Sequence, residues 1–413
     1  MTPSLTSPVK CGVRICAGPL SPHIASYRAK LEGLGYRPAQ VLYHLRFFAK
    51  LDLWLLTRKQ RLWQLNEKKV DKFLKRLRAK HPTVCHGAPS ASRLLLTVLR
   101  DIGVVAPKRE PVATSPAERL ANQYRVFLKQ KRGLVCATVY NYSRHVDRFL
   151  AEQFGSGRIN LRAVGVSDIG AFVRRHAPRH GRGWAAQMVT ALRSFFRFAQ
   201  LQGVIELDLT ALVPSVPSWE MSGPPKHLRS EAVQRVLSAC DRSTVKGKRD
   251  YAILLLLARL GLRAGEIVAL QLDDIDWANG ELVVRSKKGD GWARLPLPMD
   301  VGRALERYLM VRPPSPYRNV FVRGYAPYTP FVASGPVSVL VRKAIERAGV
   351  KSARTGAHIF RHSLATEMLR RGASLAEIGR VLRHRDPNST AIYARVDLEA
   401  LRELALPWPG GAR

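Results

Sequence analysis

Six side chains carry the chemistry open to this sequence of 413 residues: Arg263, Lys288, His358, Arg361, His384 and Tyr393. Arg263 stands in Gly261-Leu262-Arg263-Ala264-Gly265-Glu266, and Lys288 precedes Gly289, with Lys287 beside it as an alternative. His358 and Arg361 share the segment His358-Ile359-Phe360-Arg361-His362, His384 follows Arg383, and Tyr393 ends Thr390-Ala391-Ile392-Tyr393. A phenol with an ordinary pKa near 10 attacks phosphorus only if its proton is removed and the developing charge is stabilised nearby. Two guanidiniums suit fork-like contacts to non-bridging phosphate oxygens. A lysine on a hairpin can protonate a leaving oxygen, and two imidazoles can donate or exchange protons near neutral pH. Phosphoryl transfer is carried by positioned donors of this kind, so the set reads as a phosphodiester site with a tyrosine nucleophile. Taken singly, the His358–Arg361 pair also fits a solvated basic helix face, and Tyr393 a core residue; their company favours chemistry. His358 and His362 form His-x-x-x-His, but Ile359 occupies the place where the zinc-protease motif needs Glu, so no metal is expected.

These residues need elements to aim them. His358 and Arg361 fall at i, i+3 on a predicted helix, which would present both from one outward face, with Phe360, Leu364 and Met368 on the buried side. Ser230 is the expected N-cap of a helix to about residue 240, and residues 249 to 260 read as a buried helix ended by Gly261. A further helix is expected from Arg263 to Leu272. The Asn279-Gly280 turn introduces Glu281–Arg285, which with residues 293 to 297 makes an antiparallel hairpin around the Lys288 loop. Helices resume near Val301, and Tyr393 sits on a helix capped by Asn388 or Ser389. The expected fold is mainly α with a small antiparallel sheet.

Two proline-rich stretches, residues 106 to 116 and 213 to 225, divide the chain into units 1–108, 112–213 and 225–413. The first two read as small amphipathic helical bundles that echo each other. Tyr27-Arg28 recurs as Tyr124-Arg125 and Tyr43 as Tyr140, Val70 and Phe73 as Ile169 and Phe172, and Gly103-Val104-Val105 as Gly203-Val204-Ile205. With 68 Lys and Arg against 31 Asp and Glu, the net charge is +37, and nucleic acid is the leading partner. The longest apolar run, residues 251 to 258, is far too short to span a membrane, and Pro3, Pro8 and Lys10 break up any signal peptide. A cytoplasmic location without membrane contact is expected. The five cysteines suit reduced thiols, and Cys11 and Cys16 lack a second pair at zinc-site spacing, so no cofactor or metal is expected.

The order Arg, hairpin Lys, His-x-x-Arg, His, Tyr, together with the words around it, resembles the tyrosine recombinase (phage integrase) family over residues 228 to 398. More loosely, residues 112 to 213 resemble that family's helical core-binding domain. The resemblance implies a site-specific DNA recombinase of a mobile element, of integrase or transposase type, working through a 3′-phosphotyrosyl intermediate with topoisomerase-IB-like chemistry. Tyr393 would be the nucleophile, Arg263 and Arg361 would stabilise the transition state, and Lys288 would protonate the leaving 5′-oxygen. His358 would act as base or shuttle, and His384 would bond the phosphate. The implied partners are double-stranded DNA and a homotetramer on it, together with other recombinases of the same element. In the family a segment like residues 398 to 406 docks on a neighbouring subunit. One departure stands out: the family usually has Gly before its second His, where this chain has Arg383. A non-catalytic DNA-binding protein on the same fold remains the competing reading.

Overall fold

The structure is a computed structural model that describes residues 18–80, 87–108, 115–155, 157–215, 226–285, 291–384 and 386–396. The chain divides into two compact units, residues 1–108 together with 223–413, and residues 109–222, so both divisions fall at the proline-rich stretches. Within the first unit the N-terminal bundle and the C-terminal part have separate hydrophobic cores.

The N-terminal bundle comprises α1 (Ile24–Gly33), α2 (Pro38–Thr57), α3 (Glu67–Lys80) and α4 (Ala88–Asp101). The second unit repeats that order with α5 (Pro116–Val126), α6 (Cys136–Phe154), α7 (Val166–His176) and α8 (Arg182–Leu201). A short 3₁₀ turn precedes the third helix of each, at Leu62–Gln64 and Leu161–Ala163. The buried phenols of Tyr27 and Tyr124 each donate to an alanine carbonyl of the last helix, Ala91 and Ala191, both at 3.4 Å. The last helices end alike: Gly103 and Gly203 take positive φ, and Val104 and Val204 donate back to the carbonyls of Leu99 and Ala199 at 2.9 Å. Ser115 starts α5 by a reciprocal cap with Glu118, and Pro116 follows it at the first helical position, a familiar helix opening.

The C-terminal part runs α9 (Ser230–Ser238), α10 (Val245–Leu260), α11 (Ala264–Ala269), β1 (Ile275–Asp276), β2 (Glu281–Arg285), β3 (Trp292–Pro296), α12 (Met299–Leu309), α13 (Gly335–Arg347), α14 (His358–Arg370), α15 (Leu375–Leu382) and α16 (Asn388–Ala391). A 3₁₀ segment, Ile392–Val396, continues from α16. Residues 252 to 257 on α10 are buried on every side, which makes it the central helix of this core. The antiparallel sheet is ordered β1-β2-β3, with Leu282 facing Ile275 on one side and Leu295 on the other.

The mainly α architecture and the hairpin match the sequence expectation, with four local corrections. Helix α11 ends at Ala269 rather than near Leu272, because residues 270 to 272 pair with the extended chain at 318 to 320: Val320 donates to Leu270 and Leu272 donates to Arg318. That pairing leads into β1, a third strand where only a turn was expected. Ser230 does not cap α9; it is the first helical residue, and its hydroxyl donates to Glu367. Neither Asn388 nor Ser389 caps α16, whose first N–H, that of Asn388, is taken by Asp386 Oδ1.

Candidate active site

Arg263, His358, Arg361, His384 and Tyr393 all sit where α10, α11, α14, α15 and the 392–396 segment meet. Lys288 and Lys287, like Cys11, Cys16 and residues 398 to 406, lie outside the described residues.

The site is built on a glycine. Gly261 ends α10 with φ +57°, and a Cβ there would come within 2.8 Å of Leu382 and 3.1 Å of Leu364. The turn it makes puts Arg263 at the N-cap of α11 and turns the Gly261 carbonyl toward α14. Arg361 on α14 donates to that carbonyl at 2.6 Å and to the carbonyl of Leu382 at the end of α15. It is 4% exposed, so the expectation that it faces outward beside His358 is corrected: His358 occupies the first helical position, while Arg361 is drawn inward by these two carbonyls. Burial, and then the positive charges of Arg263 and Arg383, hold its pKa down at about 10.

Arg263 is aimed by Glu266, a buried carboxylate. Glu266 accepts from the Arg263 main-chain N–H at 2.9 Å and from its guanidinium at 2.8 Å, the reciprocal cap that opens α11. Burial alone would raise the Glu266 pKa; the Arg263 N–H and the neighbouring guanidiniums outweigh it and hold the carboxyl below its ordinary range. Arg383, the residue that departs from the family pattern, is the second partner of Glu266, at 3.0 Å. Its backbone takes the left-handed conformation, φ +56° and ψ +50°, so it closes α15 as a glycine would. Its carbonyl accepts from Arg263 at 3.2 Å. Consecutive carbonyls at the end of α15, Leu382 and Arg383, thus hold the two catalytic-type arginines, Arg361 and Arg263 respectively.

The same left-handed turn throws His384 back toward α16. Its Nδ1 lies 2.6 Å from the Thr390 hydroxyl, and its ring lies parallel to that of Tyr393 with centroids 6.5 Å apart. Desolvation, and then Arg361 and Arg263, push its pKa down to about 4. Desolvation and then Arg361, Arg263 and Arg354 likewise lower that of His358. Tyr393 is 1% exposed, and burial pushes its phenol up to about 12. Its hydroxyl meets His362 Nδ1 at 2.9 Å. His362 is itself pushed down to about 4, by desolvation first and by His358 and Arg354 next, so it is neutral at pH 7. A protonated phenol beside a neutral imidazole donates to Nδ1 when the ring carries its proton on Nε2. In the sequence His362 suggests only a metal ligand; its place one residue after Arg361 gives no sign that it reaches Tyr393, 31 residues on. Glu266 and Thr390 were also missed, though the Arg263-x-x-Glu266 spacing is a cap signature. Among the described residues no group of His, Cys, Asp or Glu is arranged to hold a metal ion.

Residues 226–399 match the model of the phage integrase family. A Sinorhizobium fredii protein described as an integrase/recombinase, y4rA, is 41% identical over 399 residues, covering 96% of each chain. The chain belongs to the phage integrase family, the tyrosine recombinases. The tyrosine recombinase XerD of Mycobacterium tuberculosis is 31% identical over 298 residues, 68% of this chain and 93% of XerD. In fold, it is similar to the XerH recombinase bound to palindromic difH (TM-score 0.55, 20% identity, 69% of this chain and 83% of that one). A lambda integrase tetramer bound to a Holliday junction compares similarly (TM-score 0.54, 17% identity, 73% and 85%). Site-specific DNA recombination is the activity of this tyrosine recombinase.

Arg383 is where this recombinase should be probed against its family. Arg383→Gly relieves a left-handed non-glycine residue but leaves Glu266 with Arg263 alone and removes one cation from beside Arg263 and Arg361. The two stability effects oppose each other, so the melting temperature is expected to move by only a few degrees, whereas single-turnover DNA cleavage slows by about tenfold, equivalent to about 1.4 kcal/mol of barrier. Arg383→Lys should recover part of that rate. A glycine variant as fast as wild type would mean that Arg383 only fills the glycine's place.

Proposed function

We propose that Tyr393 attacks a scissile DNA phosphate in a pocket of arginines that waits for negative charge. Three guanidiniums, Arg263, Arg361 and Arg383, stand together with one carboxylate, Glu266, which pairs with Arg263 and Arg383, while Arg361 is held by backbone carbonyls alone. That excess of fixed positive charge, with a phenol and two imidazoles at its edge, is the observation that carries the reading. Tyr393 Oη bonds to phosphorus as the bond from phosphorus to the 5′-oxygen breaks, leaving a 3′-phosphotyrosyl linkage and a free 5′-hydroxyl. The phenol's proton leaves toward His362, the imidazole already bonded to it, with His358 relaying it onward. Arg263 and Arg361 bind the non-bridging oxygens, which gain charge in the transition state, and donors of this kind are worth about 10²–10³ each in rate. His384 adds a further donor to the phosphate, and Lys288 supplies the proton that the 5′-oxygen takes up. Because no bond energy is lost to water, a 5′-hydroxyl from a partner strand reverses the step and joins new ends.

In this reading residues 225–413 form the catalytic domain, residues 112–213 a core-binding domain that grips duplex DNA, and four chains assemble on two duplexes. Integration or transposition of a mobile element in the cytoplasm is the setting, alone or beside other recombinases of that element. The test is a nicked suicide duplex from the flanks of the element that carries the gene, incubated with wild-type protein, denatured and digested. A DNA 3′ end attached to the peptide holding Tyr393 is expected. A 5′ linkage, attachment elsewhere, or tight binding without any adduct would overturn the assignment, the last in favour of a non-catalytic DNA-binding role.

A further inference from the structure

We propose that the N-terminal bundle is a second DNA-gripping module, laying Arg46 and Lys50 of α2 against the phosphates of duplex DNA. The proposal rests on the reading of the middle bundle as a core-binding domain. Its own support is a comparison of the two bundles position by position. When α2 is set on α6 from their first residues, one position away from the Tyr43–Tyr140 match read in the sequence, buried Leu45, Phe47, Phe48, Leu51 and Asp52 coincide with buried Ser143, His145, Val146, Phe149 and Leu150. In that register Arg46 coincides with Arg144 and Lys50 with Arg148, a pair of cations one helical turn apart in each copy.

The third helices repeat the pattern. Val70, Phe73 and Leu74 coincide with Ile169, Phe172 and Val173 in the cores, and exposed Lys75 and Arg76 coincide with exposed Arg174 and Arg175. The cores have changed at these matched positions, with Asp52 against Leu150 and Leu45 against Ser143, yet the sign of the charge at the four surface positions is the same. In the middle bundle Arg175 pairs with Glu152, and Arg144 and Arg148 lie over the rings of Tyr140 and Trp184, but Arg46, Lys50, Lys75 and Arg76 show no such partner among the described residues, so intramolecular pairing does not account for the sign that the N-terminal copy shares. A shared anionic partner accounts for it, and a polyanion contacted through its phosphates asks only for positive charge at a given place, with Lys and Arg interchangeable. Among the described residues, Arg46, Lys50, Lys75 and Arg76 are in no ion pair, so their charge is available to such a partner.

The experiment uses the full chain and a random-sequence duplex of about 60 base pairs, with affinity measured from 50 to 200 mM salt. Each lost phosphate contact flattens the plot of log affinity against log salt by about 0.9, so Arg46→Gln with Lys50→Gln is expected to reduce the slope by about 1.8. Arg144→Gln with Arg148→Gln should do the same, and the four changes together should add. Lys75→Gln with Arg76→Gln is the second variant at the N-terminal bundle. Melting temperatures equal to wild type, expected for exposed Arg46, Lys50, Lys75 and Arg76, confirm that charge alone was changed in the N-terminal variants. If both N-terminal variants keep the wild-type slope while the α6 variant flattens it, the N-terminal module does not grip DNA and the core-binding reading stands. If neither bundle's variants change the slope, both readings fall together.

Discussion

Arg361→Ala is expected to reduce covalent trapping on a nicked suicide duplex by at least about 10³ in single-turnover rate, a loss at the upper end of what one transition-state donor supplies. The size follows from how the side chain is held. Its two terminal nitrogens are fixed by carbonyls from different helices, Gly261 and Leu382, and the residue is all but buried. No carboxylate pairs with it directly, and Arg263 and Arg383 repel it. In the proposed reaction a bound phosphate would supply the counter-charge that this buried guanidinium lacks, and the attraction would grow as the phosphorane gains charge. Arg361→Lys keeps the charge but is a point donor on a flexible stem, unable to span both carbonyls, so a loss of about 10² is expected despite the conserved sign. Stability separates the roles. Truncation leaves two buried carbonyls without partners, at about 1–3 kcal/mol each, but relieves repulsion among three cations, so the melting temperature should fall far less than the rate. An alanine variant cleaving within tenfold of wild type would show that Arg361 serves only to join α10 to α15.

What was legible in the sequence, and what was not, divides by the range of the interactions. The order of Arg263, His358, Arg361, His384 and Tyr393 was readable because each lies in a local word whose geometry is set by neighbours in the chain. The ending of α10 at Gly261 was readable for the same reason. Burial of Arg361 was not, since its partners lie 100 and 21 residues away in sequence, and an i, i+3 pattern on α14 shows only that His358 and Arg361 are neighbours. The bond between His362 and Tyr393 depends on how α15 and its left-handed turn return the chain to α14. The same turn explains why Arg383 looked like a defect. In sequence it breaks a pattern that needs a positive φ; in the fold it adopts that φ, and its side chain is held by Glu266, whose main-chain partner is Arg263. The early end of α11 was likewise hidden, because it is imposed by pairing with residues some 50 positions on.

Acidification is expected to weaken the free protein and to strengthen its hold on DNA, and the opposition of the two signs tests the electrostatics of the site. His362 and His384 are held near 4 in the folded chain, and His358 is lowered too, against an unperturbed 6.5. Between those values the unfolded chain binds protons that the folded chain refuses, so stability is intact above about pH 6.5 and is lost as the pH falls toward 4. Buried His44 and His145 of the two bundles are lowered by burial and add to the same trend, so the wild-type curve alone does not isolate the site. His362→Gln and His384→Gln do: each should flatten the fall in melting temperature between pH 7 and 5 relative to wild type. Burial is the first cause of these low values, and cations add to it: Arg361, Arg263 and Arg383 at His384, and Arg361 among others at His362; a phosphodiester placed among those arginines offsets that second contribution, so the pKa values rise on binding and protons are taken up. The stabilisation conferred by duplex DNA should therefore grow as the pH falls, and grow less in the two variants. Equal DNA-induced shifts at pH 7 and 5 in wild type would mean that the phosphate does not sit against His362 and His384. In that case the arginine cluster would be a support for the fold, and the scissile bond would have to be sought elsewhere on the catalytic unit.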